Sequence, residues 1–196
     1  MKKIMIYTLI LIAVVLIGFG YSVKYGNKDK KKIAEYQKTE KQTEQNIYAE
    51  LRKMAFSVTA KELGLQIPNN TEKIYGIISD FNLGEGTVTV VTFITGDASI
   101  YLSTGGGFIG SGQYESVKKV SKEFVDNGHL YSYKGEKFNN LDLPTDGNIN
   151  FYFLSNLGQT KITERISKIE NRESEFHKLF LDLNKVMTEI RMKNEK

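Results

Sequence analysis

Apolar positions change their period several times along this 196-residue chain, and each change marks an element. From Ile4 to Val23 there is no charged side chain, and the run is bounded by Lys2, Lys3 and Lys24. At about 1.5 Å rise per residue such a run spans roughly 30 Å, the hydrocarbon thickness of a bilayer. A helix satisfies its own backbone there, so the pattern predicts a single N-terminal transmembrane helix within residues 1–23. A cleaved secretory signal is the competing expectation, since Gly18, Gly20 and Ser22 suit a cleavage site. The length of the run, with Tyr7, Tyr21 and Tyr25 at interfacial positions, favours an uncleaved anchor.

Residues 24–46 lose the apolar pattern and read as a charged juxtamembrane linker. Ile33, Tyr36, Glu40, Thr43 and Ile47 trace a rough heptad, which leaves room for a weak homo-oligomer through the linker. Polar interruptions of that seam favour a solvated tether.

Residues 47–196 read as one α+β domain. Ile47, Leu51, Met54, Ala55 and Val58 recur at helical spacing and predict an amphipathic helix. Thr59 and Glu62 then form a capping-box pair before Leu63 and Gly64. Ile74–Phe81, Thr87–Thr95 and Ser99–Ser103 are rich in β-branched and aromatic residues and are separated by short turns, which predicts an antiparallel meander. Val117, Val120, Ser121, Phe124 and Val125 place a helix over about 113–127, with Gly128 as its stop. After an irregular stretch, 129–147, Asn148–Ser155 and Gln159–Arg165 form a hairpin. Phe176, Leu179, Phe180, Leu183, Val186, Met187 and Ile190 then stripe a final helix. Meander, helix and hairpin together predict a five-stranded antiparallel sheet with helices packed on it.

Charge alters where a partner is sought. The net charge is +4, yet residues 1–50 hold nine lysines against five acids and the remainder is balanced. The body thus lacks the basic footprint of a nucleic-acid binder. Lys24, Lys28, Lys30, Lys31 and Lys32 flank the apolar run, where they favour the cytoplasmic side for the body and can touch anionic headgroups. Because Lys2 and Lys3, with the terminal amine, stand on the other flank, the opposite topology is the alternative: an extracytoplasmic body, or a secreted one after cleavage. No cysteine is present, which excludes a disulfide framework, a thiolate nucleophile and thiolate-held metal.

Among motifs, the glycine-rich segment Gly105–Gly112 stands out. It follows a strand and leads towards a helix, whose free N–H groups favour an anion. Gly105, Gly106, Gly107, Gly110, Ser111 and Gly112 are therefore the candidate ligand-binding residues. The G-x-G-x-x-G spacing is formal only, because a meander precedes it and no parallel strand follows. Turn geometry is the plain alternative, since glycine supplies positive φ. No catalytic residue, metal site or cofactor is expected: a Ser111 or Ser103, His129, Asp126 triad lacks a nucleophile elbow, and neither Asp80 with Glu85 nor Asp142 with Asp146 has the spacing of a carboxylate pair or calcium loop, so turn and solvation roles are expected of them. Tyr131, Tyr133 and Phe138 are expected to cover an edge of the core.

The order of elements resembles the longin, roadblock and profilin-like group, which implies a docking or regulatory platform. Ser99–Gly110, with LGLQIP at Leu63–Pro68 and FYFLSNLG at Phe151–Gly158, resembles a family of uncharacterised bacterial proteins with an SxYxSTGGGxIGxG loop. Members often lack the membrane segment, which implies a cytoplasmic domain, and the family carries no activity to transfer. The expectation is a non-catalytic protein-binding or regulatory module held at a membrane by its N-terminal helix. A small-ligand or phosphate-binding sensor or enzyme using Gly105–Gly112, and an exported envelope-associated structural protein, are the alternatives.

Overall fold

Polar residues alternate with apolar ones along the first helix, α1, at residues 43–57, and an apolar sheet receives its inner face. The computed structural model describes residues 43–68 and 70–194, which belong to one compact unit, Glu40–Lys196. The strands are β1 (Ile74–Asn82), β2 (Thr87–Phe93), β3 (Ala98–Leu102), β4 (Gly107–Phe108), β5 (Glu136–Lys137), β6 (Asn148–Ser155) and β7 (Gly158–Arg165). The other helices are α2 (Glu115–Asp126), α3 (Ile166–Glu170) and α4 (His177–Asn194).

Among the described residues the strands form one antiparallel sheet ordered β4-β3-β2-β1-β6-β7-β5. Both faces of its centre are covered, so β1 and β6 read as nearly continuous apolar runs rather than alternating ones. On one face Tyr48, Ala55 and Phe56 of α1 pack on Tyr75, Ile78, Val91, Phe93, Tyr152 and Leu154. On the other lie α2 and α4, which bury Val117, Phe124, Leu179, Leu183, Val186 and Ile190 against the set led by Ile77, Ile149, Phe151 and Phe153. Each such side chain contributes about 1.5–3 kcal/mol by leaving water. A register shift between Ile74 and Gly76 lets Tyr75 and Ile78 share the α1 face. Gly76 is required beside it, because a Cβ there would stand 2.9 Å from the Phe93 ring.

The structure corrects the sequence reading in two places. The sheet has seven strands rather than five. The two additions are two-residue edge strands, too short to carry a period of two; pairing of Ile100 with Phe108 and of Lys137 with Thr160 defines them. Part of the glycine-rich segment is therefore a strand, as is part of the irregular stretch. The first helix also turns a different face inward. Tyr48, Arg52, Ala55 and Phe56 are buried, while Ile47 and Met54 are 55% and 61% exposed. The Thr59–Glu62 pair forms as expected, with Glu62 Oε2 accepting from Thr59 N at 2.8 Å, although it closes a turn and not a helix. The expected transmembrane segment, Ile4–Val23, and the lysines at 24, 28, 30, 31 and 32 lie outside the described residues. Among the described residues no helix is long and apolar enough to cross a membrane.

Candidate functional site

The glycine-rich segment is a hairpin built from backbone bonds. Gly105 N donates to Leu102 O at 3.0 Å and Leu102 N to Gly106 O at 3.2 Å. Gly105, Gly106, Gly107 and Gly110 all have positive φ. A Cβ on Gly107 would lie 2.2 Å from Ile100 O, and one on Gly112 would lie 2.6 Å from Gly96 O. Close backbone approach and turn geometry account for these four glycines and Gly112. Ser111 is buried and its Oγ accepts from Asn194 Nδ2 at 3.1 Å, which ties the end of α4 to the hairpin. The α2 N-terminus begins beyond a 3-10 turn, and Glu115 occupies its first turn. A carboxylate there already answers the helix dipole that would attract an anion.

The other sequence candidates are dispersed. His129 Nδ1 bonds Asp126 O at 2.6 Å, while the Asp126 carboxylate pairs with Lys73 at 3.0 Å. With Ser111 held by Asn194, no triad is assembled from Ser111, His129 and Asp126. His177 Nδ1 lies 2.7 Å from Ile169 O and joins α4 to α3. Among the described residues no group of three His, Cys, Asp or Glu is placed to hold a metal ion. Phe138 packs edge-on against Tyr152, with ring centres 5.1 Å apart, whereas Tyr133 is exposed. A cavity of about 100 Å³ between α2 and α4 contains Asp182 with both Lys178 and Lys185 on its carboxylate, so its charges are paired.

Two features escaped the sequence reading. The first is a buried polar network beneath α1. Arg52 donates from Nε (3.0 Å) and Nη2 (2.5 Å) to Asp80 Oδ2, and from Nη1 to Leu141 O at 2.7 Å. Thr89 donates to Asp80 Oδ1 at 2.5 Å, which leaves the Tyr48 hydroxyl as donor to Thr89 Oγ1 at 2.9 Å. Tyr152 accepts from Asn150 Nδ2 at 3.0 Å and donates to Asp142 O at 3.1 Å. Burial acts to lower the Arg52 guanidinium, but the Asp80 hydrogen bond and charge outweigh it and raise the group. Burial, then the charge of Asp80, pushes the phenols of Tyr48 and Tyr152 up to about 12. Sealed from solvent and satisfied on every side, the network pins α1 to the sheet. It offers no site at which a substrate could meet it. The turn or solvation role expected of Asp80 is thereby overturned: it is fully buried, and its position in a strand rich in isoleucine was the signal that it needs a buried cation.

The second feature is an open cavity of about 510 Å³ beside α1. Leu51, Met54, Val58 and Leu63 form its wall, and Val91, Phe93 and Tyr101 contribute its floor. Leu51 and Met54 belong to a second stripe of α1 adjacent to the buried one, and Val58 just past its end and Leu63 in the following turn extend the wall. Ser57 and Ser99 bring hydroxyls, but Ser57 Oγ donates to Met54 O at 2.7 Å and Ser99 Oγ accepts from Gly110 N at 3.1 Å. The lining is thus mostly apolar, with the Ser57 and Ser99 hydroxyls in local bonds and the carboxylates of Glu62 and Asp97 beside them. No family model, curated protein or solved structure matches the chain.

Proposed function

We propose that this chain is a non-catalytic protein-binding module held at a membrane, and that its docking surface is the groove beside α1. The observation that carries the reading is an apolar wall left open beside the first helix: Met54 is 61% exposed above a groove of about 510 Å³. An exposed apolar concavity rimmed by polar residues is characteristic of an interaction site. The buried network supports a binding role over a catalytic one, because its charged groups have no route to a substrate. The uncharged run Ile4–Val23 supports the tether, and Lys24, Lys28, Lys30, Lys31 and Lys32 support its contact with anionic headgroups and a cytoplasmic orientation. A tether raises the local concentration of the module for partners at the same surface.

Site-specific photo-crosslinking of the full chain in cells tests this. A benzoylphenylalanine at position 54 should give a discrete protein adduct, and one at position 109 or 157, both exposed apolar residues elsewhere, should not. Equal adducts from all three positions, or none from 54, would contradict the reading.

A further inference from the structure

The groove beside α1 has a charge as well as a shape. Its lining includes Glu62 and Asp97 and no lysine or arginine. Glu62 receives two hydrogen bonds from Thr59, on its backbone N–H and on its hydroxyl, both at 2.8 Å; these hold its carboxyl below the usual range, so it stays ionised. Asp97 Oδ2 accepts from Thr95 Oγ1 at 2.6 Å. Each carboxylate is thereby fixed by a neighbour without being neutralised by one. Among the described contacts no cation pairs with either. A partner side chain bearing positive charge at the rim would complement both.

The sheet itself narrows the form of the partner. Binding by strand addition needs an open edge; the two-residue strands β4 and β5 cover Ile100–Tyr101 of β3 and Thr160–Lys161 of β7, and β5 is composed of Glu136 and Lys137. The charged edge at β5 disfavours strand addition there, and the groove lies on the face of the sheet rather than at an edge. The groove instead presents a floor of sheet side chains beside a helix, the form that receives the apolar face of a helix.

We propose that the groove binds a helical segment of a partner protein whose apolar face carries flanking lysine or arginine. This rests on the docking reading above and specifies the chemistry of the partner. Two fluorescein-labelled peptides test it by anisotropy against the full chain: one has leucines at i, i+3 and i+7 separated by lysines, and its twin has glutamates in place of the lysines. The lysine peptide should bind at least about fivefold more tightly than its twin at low ionic strength, an advantage that salt erodes. Met54→Glu should abolish its binding, with Met54→Ser as a milder second variant. Glu62→Gln with Asp97→Asn, which keeps both local turns, should bring the two peptides together. If both peptides bind equally and Met54→Glu removes both, the charge inference is overturned while the groove reading stands. If Met54→Glu changes neither, the groove is not the docking surface and both proposals fall. Concentration-dependent dimerisation of the full chain that Met54→Glu abolishes would assign the groove to a second copy and overturn the proposal.

Discussion

At the scale of single residues, Asp80 carries a distinct consequence for stability, because it is a buried charge. Its carboxylate is fully buried and takes the Arg52 guanidinium and the Thr89 hydroxyl. Asp80→Ala strands a buried cation and should cost about 3–5 kcal/mol in urea denaturation, whereas Arg52→Met with Asp80→Leu should recover most of the loss. A single-variant cost under about 1 kcal/mol would mean that the pair does not pin α1. The tyrosines of the same network make stability depend on pH. Each phenol ionises near 10 in the unfolded chain but only at about 12 in the fold. The stability this supplies is whole below pH 10 and lost as pH rises through 10 to 12. Urea midpoints measured across that window should fall, and Tyr48→Phe with Tyr152→Phe should flatten the descent. Asp80 and Asn150 could be noticed in the sequence as polar residues in apolar strands, but their partners could not. Arg52 is 28 residues from Asp80, and the distance closes only when α1 lies on the sheet.

At the scale of elements, periodicity located the long strands and helices within a few residues, because each buries a strong repeat. It was less informative about α1, where two stripes lie side by side: Tyr48, Arg52, Ala55 and Phe56 inward, and Ile47, Leu51, Met54 and Val58 along the flank. The flank is the more apolar by composition, so hydropathy alone selects it as core. Burial selects the other, since Arg52 is paired beneath it. Met54→Glu should therefore shift the melting temperature by no more than about 2 °C, while Ala55→Glu, at a position 5% exposed, should lower it by at least about 6 °C, as burial of an unpaired charge requires. The glycine hairpin makes a parallel contrast. Gly107→Ala drives a Cβ onto Ile100 O and should cost at least about 2 kcal/mol, whereas Gly106→Ala meets open space and bears only the strain of positive φ, about 1–2 kcal/mol. The edge strands β4 and β5 were illegible for a different reason: two residues have no period, and only the neighbouring strand defines them.

For the whole molecule, the groove along one flank of the first helix is the surface assigned to a partner, with a tether proposed upstream of that same helix. Full chain should float with anionic vesicles in a density gradient, and a chain lacking residues 1–32 should remain at the bottom; flotation of both would remove the tether from the account. The α+β class and the neutral body could be read from the sequence, whereas the seven-strand sheet and the division of helices between its two faces could not. The groove could not, because it is an absence of cover, and no local pattern records what fails to pack on a surface. Methionine methyl resonances of the full chain test the central claim most directly, since Met54 borders the groove while Met187 and Met192 lie on α4. On titration with the lysine peptide the account predicts that the Met54 methyl shifts and those of Met187 and Met192 stay in place. A stationary Met54 signal, or movement of Met192 in its stead, would contradict it.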